Sequence, residues 1–231
     1  VIDAILGTLD DNGRISSGKI RYKGEEIQSM SDDELSEKIR GKEIGIIPQG
    51  SMNSLDPLQR IDKHAVQLAN LHTDLSESEA LDKFREMMNV VGLNENRIKD
   101  YPHQFSGGMK QRTMIALSLF LEPSLLIADE PTTALDVIMQ DQVFRYLDDI
   151  RETTNTSFML ITHDISLVFE ACDNMGVMHA GQLAEIGGTD ELFTDSRHPY
   201  TILLQEAFPD IRFPNRNLEI IEGAPPQTTG D

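Results

Sequence analysis

Cysteine occurs once, at Cys172, so the chain can close no internal disulfide and can build no cysteine-rich metal or iron–sulfur centre. On an apolar helix face that thiol reads as a small core residue. Long apolar runs are missing as well. A membrane span needs about 20 apolar residues, whereas the most apolar stretches, 115–121 and 125–128, are core-sized. Cationic side chains are scarce: 20 Lys and Arg stand against 39 Asp and Glu, a net charge of −19. That balance repels a nucleic-acid backbone and anionic lipid unless the cations cluster. The excess acid reads as solvated surface, with adaptation to high salt as the sharper alternative. Internal repeats and low-complexity tracts are absent, and no basic-then-apolar leader follows Val1. The segment therefore reads as part of a longer cytosolic protein.

What is present is enough for one sizeable core, or one core with a small lobe: 231 residues, 39% of them hydrophobic, with 16 glycines besides. Short apolar runs alternate with helical periods, the pattern of an α/β sheet. Residues 2–6 read as a helix end stopped near Gly7, and 19–23 as a strand ended by Gly24. Ser31 with Glu34 makes a capping box, and 43–47 then reads as a strand closed by Pro48. From about 60 to 99 the texture is purely helical, with a second capping box at Ser76 and Glu79 and a stop at Gly92. This stretch reads as a helical lobe inserted into the α/β core. Helices are expected over 107–121 and 137–152 and from Asp164, with strands over 125–128 and 157–161. Further strands around 175–178 and 183–186 are expected to complete the sheet. Beyond Pro209 the chain turns loop-like.

The strongest chemical signal is Leu125-Leu126-Ile127-Ala128-Asp129-Glu130-Pro131-Thr132. An apolar strand that ends in two acids presents carboxylates at the crevice of an open α/β sheet. This strand end resembles that of P-loop nucleotidases, a likeness that implies Mg²⁺, which prefers oxygen ligands, at Asp129, and leaves Glu130 free to take a proton from an attacking water or to orient it. In isolation, the same pair reads equally well as two surface acids opening a turn. It is not isolated, however. Thr133-Ala134-Leu135-Asp136 comes directly after it, and Phe105-Ser106-Gly107-Gly108-Met109-Lys110-Gln111-Arg112 precedes it. A Ser-Gly-Gly turn opening a helix offers a hydroxyl, unhindered N–H groups and the positive end of a helix dipole, a phosphate-binding combination.

The run 106–112 resembles the signature motif of ABC-type ATPases, and the adjoining segments resemble that family's Walker B and D-loop. Gln49, after 44–48, is similar to the Q-loop, and Ile161-Thr162-His163-Asp164 to the switch histidine. The resemblance implies a P-loop nucleotidase (RecA-like) parallel-sheet core with an inserted helical subdomain. It implies ATP and Mg²⁺ as cofactors, with Asp129 and Gln49 on the metal side and Glu130, His163 and Gln49 as catalytic residues. Ser106, Gly107, Gly108, Gln111 and Asp136 are implied to serve the nucleotide of a partner subunit. In domain terms it implies a partial nucleotide-binding core with the Q-loop over 1–59 and a helical signature subdomain over 60–105. The signature helix, Walker B, D-loop and switch histidine occupy 106–208, and an accessory tail begins over 209–231.

A P-loop requires Gly-x-x-x-x-Gly-Lys-Ser/Thr leading into a helix. Gly13-Arg14-Ile15-Ser16-Ser17-Gly18-Lys19-Ile20 fits only until its last position. Ile20 carries no hydroxyl for a metal, and Arg21-Tyr22-Lys23-Gly24 reads as a strand, so the run 13–20 is expected to be a turn. The resemblance aligns Ala4-Ile5-Leu6-Gly7 with the end of the helix after the true loop. Walker A and the N-terminal β subdomain are then expected to precede Val1, and the segment alone is expected to be inactive.

Finer matches, at 49–58, 101–106, 177–181, 197–201 and 223–226, resemble the ATP-binding subunits of oligopeptide and dipeptide importers. They imply a subunit on the cytoplasmic face of the membrane. Its partners would be a second identical or paralogous ATPase, two permeases and, indirectly, an extracytoplasmic solute-binding protein, with no nucleic acid. His198 and Tyr200 read as no more than a helix start at Pro199. Two alternatives stay open: a soluble ABC ATPase of DNA repair, chromosome structure or translation, and a degenerate structural partner. The 49–106 interval is too short for a long coiled coil, and intact Glu130 and His163 weigh against degeneracy.

Overall fold

The computed structural model describes residues 1–50, 54–131 and 155–207, together with 140, 145, 147, 150 and 151. The chain divides into two compact units, Val1–Ile161 and Thr162–Asp231.

The first unit is organised around a parallel sheet of β3 (Ile44–Ile47), β4 (Leu125–Asp129) and β5 (Ser157–Ile161), in that order. The register runs from Ile44 opposite Leu125 to Ile47 opposite Ala128, and from Leu125 opposite Ser157 to Asp129 opposite Ile161. Parallel strands need cover on both faces, and the period-2 alternation supplies it. On one face Ile47, Leu126 and Ala128, with Phe158 and Leu160, join the larger core. The other face presents Ile44, Ile46, Leu125, Ile127, Met159 and Ile161 to the smaller core.

The larger core is helical. Helices α3 (Ile61–His72), α4 (Glu77–Val90) and α5 (Gly107–Leu119) bury Ile61, Ala65, Phe84, Met88, Ile115 and Phe120 in one cluster with the sheet. Phe84 and Phe120 meet edge to face, with centroids 6.1 Å apart. The Ser76–Glu79 capping box opens α4, and Gly92 in the left-handed region (φ 67°) comes just after its end, as the sequence predicts.

The smaller core holds α1 (Ile2–Leu6), stopped at Gly7, and α2 (Asp32–Lys38), opened by the Ser31–Glu34 capping box. Arg40 Nε donates to the Leu6 carbonyl at 2.7 Å, a cation at the carbonyl end of α1. Between these helices a hairpin pairs β1 (Arg21–Tyr22) with β2 (Glu25–Glu26). The strand expected over 19–23 is shorter because Lys23 (φ 48°) and Gly24 (φ 88°) both turn left-handed, making a tight primed turn.

In the second unit, α6 (Ile165–Ala171) is succeeded by β6 (Asn174–His179), β7 (Gln182–Gly188), α7 (Thr189–Thr194) and α8 (Pro199–Glu206). The two strands do not complete the parallel sheet as expected. They pair antiparallel with each other as a separate ribbon, because the two residues Ala180 (φ 52°) and Gly181 (φ 75°) fold the chain directly back. Ile165, Met175, Val177 and Leu192 form this unit's own core. His198 caps α8 by accepting from the Tyr200 N–H at 3.1 Å, with Pro199 in the first turn; these are the structural roles read from the sequence. The helix expected over 137–152 lies largely outside the described residues, and the tail beyond Pro209 wholly so.

Candidate functional site

Three of the residues singled out from the sequence converge at the C-terminal ends of β3 and β4. Asp129 is the last residue of β4, Glu130 comes next, and Gln49 stands after β3 and Pro48. Gln49 Nε2 donates to Glu130 Oε2 at 2.7 Å. The Glu130 N–H donates to the Ile161 carbonyl at 2.8 Å, which carries the β4–β5 ladder past the strand end. Its φ of 45° places Glu130 in the left-handed region, rare for a residue with a long side chain and a recurrent feature of functional sites.

Asp129 stands in an electrostatically crowded position. Burial raises its carboxyl above the ordinary range, and the neighbouring Glu130 and Asp3 charges raise it further. Asp3, in the first turn of α1, is marked by no sequence motif. Only its position in a helix packed under the sheet brings its charge to bear on Asp129.

The second group sits at the start of α5. Ser106 caps the helix, its Oγ accepting from the Met109 N–H at 3.4 Å. Ser106 and Gly107 are exposed and Gly108 is buried. Gln111, one turn further, is 2% exposed, and its amide donates to the Pro131 carbonyl. That bond ties α5 to the residue directly after Glu130, a link that no local pattern in the sequence announces.

His163 lies in the second unit, exposed, in a bend just after β5. Its neighbours are fixed locally: the Asp164 N–H donates to Thr162 Oγ1, and the Ser166 N–H to Asp164 Oδ1, each at 3.0 Å. Asp136 lies outside the described residues. The glycine-containing run 13–20 is an exposed loop leading to β1, as read from the sequence, with no helix after it. Gln28 holds it by accepting from the Ile20 N–H at 2.7 Å and donating to the Gly18 carbonyl at 3.1 Å, while Lys19 pairs with Glu26 at 2.8 Å.

A third feature is an open groove of about 470 Å³ between the 58–60 segment, α3 and Tyr101. Leu58 on its rim is 85% exposed. Gln59 Oε1 is buried there without a hydrogen-bond partner among the described residues.

Comparison with known proteins bears on both ends of the chain. Residues 1–133 match the family described as ABC transporter, and residues 184–230 match the oligopeptide/dipeptide transporter C-terminal region. The oligopeptide transport ATP-binding protein OppD of Bacillus subtilis is 40% identical over 94% of this chain and 61% of its own length. OppD of Escherichia coli is 40% identical over 96% of this chain and 66% of its own. The dipeptide transport ATP-binding protein DppD of Lactococcus lactis is 39% identical, over 96% and 64%. The chain thus spans about two thirds, or slightly less, of the length of these relatives. Among solved structures, cbiO1 from Clostridium perfringens, part of the transporter complex cbiONQ, superposes with a TM-score of 0.72 at 27% identity, over 87% of this chain and 75% of that one. The ATP-binding cassette MJ0796 bound to ADP and Pi gives 0.66 at 26% identity, over 75% and 74%. With these matches added to the Asp129–Glu130 strand end and the Ser106 helix start, the chain belongs to the ABC transporter family.

Proposed function

We propose that this chain forms the greater part of an ATP-hydrolysing subunit that energises import of oligopeptides or dipeptides. The observation that carries the reading is the Gln49–Glu130 hydrogen bond at the ends of two adjacent parallel strands, in a chain whose two ends match an ABC transporter and an oligopeptide/dipeptide transporter region.

In this reading Glu130 is the general base. Its carboxylate takes the proton of the attacking water, and Gln49 holds that carboxylate in line. Asp129 is the metal residue, with Gln49 beside it. The residues present fit Mg²⁺: they offer hard oxygen donors, and a carboxyl pressed upward by burial and two neighbouring acids is one that a divalent cation relieves. When bound, the metal supplies positive charge to the transferring phosphoryl group. His163 is the residue that addresses the terminal phosphate.

Two such subunits pair head to tail. Ser106, Gly107 and Gly108, backed by Gln111 and joined by Asp136, then face the nucleotide held by the partner. The division into a core over 1–59, a helical subdomain over 60–105, a second core segment over 106–208 and an accessory region over 209–231 belongs to the same proposal. The groove beside Leu58 is the seat for a permease segment on the cytoplasmic face of the membrane, and the unpartnered Gln59 oxygen asks for a donor from it.

Transport is the test. The full-length protein, reconstituted with its permeases in vesicles, is expected to accumulate labelled peptide only with ATP. Hydrolysis without any peptide uptake would favour a soluble ABC ATPase instead and overturn the importer reading.

A further inference from the structure

Arg97 lies in the 3-10 turn Glu95–Lys99, outside the signature and strand-end motifs. Its guanidinium makes contacts in four directions. Nε donates to Asp100 Oδ2 at 2.7 Å, Nη2 to the Gln104 carbonyl at 2.9 Å, and Nη1 reaches Met109 Sδ at 3.4 Å. The ring centroid of Phe105 lies 4.7 Å from its central carbon. One planar cation therefore grips the two residues before Ser106 and the third residue of the helix that Ser106 opens. Met109 closes the loop, since its N–H is the donor that Ser106 Oγ accepts.

We infer that Arg97 is a positioning residue for the Ser106–Gly108 edge, fixing the direction in which that hydroxyl and the first N–H groups of α5 face a nucleotide held by the partner subunit. This rests on the reading that the edge meets a nucleotide at all. The ion pair with Asp100 is about one third exposed on each side, and such pairs contribute little stability. The contribution of Arg97 is geometric. Helix α5 is anchored along its length by the core, but its first turn hangs on the 3-10 turn Pro102–Gln104 and Phe105, and the guanidinium is what ties those to Met109. Lysine cannot replace it, because an ammonium on a flexible stem has no rigid fork to hold a carboxylate, a carbonyl and a thioether at once.

The experiment uses the full-length protein carrying Glu130→Gln, so that ATP-dependent pairing is read without turnover. Arg97→Ala, Arg97→Lys and Ser106→Ala are compared for pairing, for ATP affinity of the unpaired subunit and for melting temperature. Arg97→Ala is expected to weaken pairing at least about tenfold, within the roughly 100-fold that an ångström of misplacement costs. Affinity in the unpaired subunit should stay within about twofold, since the edge serves the partner's nucleotide. Arg97→Lys keeps the charge and the stem against Phe105, which protects the fold, and carries the same expectation. If Ser106→Ala leaves pairing unchanged, the reading of the edge falls. If Ser106→Ala weakens pairing while Arg97→Ala does not, the positioning role falls. A parallel loss of pairing, affinity and melting temperature, or full restoration by lysine, overturns it as well.

Discussion

Gln49 and Glu130 are 81 residues apart, and their side chains meet at 2.7 Å along the register of the sheet that carries them. Ile44 lies opposite Leu125 and Ile47 opposite Ala128, so continuing the same pairing two residues past β3 sets Gln49 opposite Glu130. The site thus lies directly beyond the end of the strand ladder. Four apolar pairs buried between the helices fix where the two polar side chains meet.

Glu130→Gln in the full-length protein is expected to lower steady-state ATP hydrolysis by at least about 100-fold, the lower range for loss of a general base. The amide still offers Gln49 an acceptor, so ATP-dependent pairing should persist. Phosphate release and light scattering measured on one sample check both halves. Turnover near that of the unaltered protein would remove Glu130 from catalysis.

Asp129 gives a pH dependence of known sign. Its folded carboxyl is raised by burial, then by Glu130 and Asp3, so the fold favours the protonated form. The stability associated with that proton is present below the unfolded carboxyl range near ~4 and is lost as pH rises through the folded value. Asp129→Asn should therefore be more stable than the unaltered protein at about pH 7 without Mg²⁺, with the advantage fading below about pH 4. Denaturant unfolding at both pH values checks it; an equal difference at the two would place the effect elsewhere.

Gly45→Ala is expected to destabilise by about 1–3 kcal/mol. A methyl there would stand 2.6 Å from the Ser118 carbonyl and 3.0 Å from Leu126 and Pro123. Ser118 Oγ also donates to the Ile46 carbonyl at 2.6 Å, which pins α5 close over β3. Thermal or denaturant melting would report the change, and a neutral result would mean that α5 can lift from the strand.

Leu58→Asp should uncouple transport from hydrolysis. The side chain is 85% exposed on the groove rim and belongs to none of the strand-end or helix-start motifs, so hydrolysis in detergent should stay within about twofold while peptide uptake falls about tenfold or more, the loss expected when a contact residue of an interface is charged. Equal losses in both assays would place this segment at the nucleotide.

Local devices are legible in the sequence, and distant ones are hidden from it. Both capping boxes, the Gly7 and Gly92 stops and strand 157–161 arise from short-range rules of hydrogen bonding, left-handed backbone and apolar patterning, and each occurs where those rules put it. The strands after Asp173 pair with each other and not with the main sheet, a choice the sequence conceals because alternation specifies a half-buried strand without specifying its partner. Likewise, the bond from Gln111 to Pro131 and the Asp3 charge on Asp129 depend on how elements pack, which no window of sequence contains. Arg97 escapes a sequence reading for the same reason: among the charges of 94–100, only the folded turn distinguishes the one that reaches Phe105 and Met109.

The left-handed backbone of Glu130 (φ 45°) sets stability and activity against each other at one codon. A side chain in that conformation costs about 1–2 kcal/mol, which glycine escapes and asparagine partly escapes. Laboratory evolution for heat resistance alone should enrich Gly or Asn at position 130, and the survivors should be robust, well-packed proteins that no longer turn over ATP. Under the proposed importer function, selection in a cell that must feed on peptides would run the other way, holding the glutamate in place at a standing thermodynamic disadvantage.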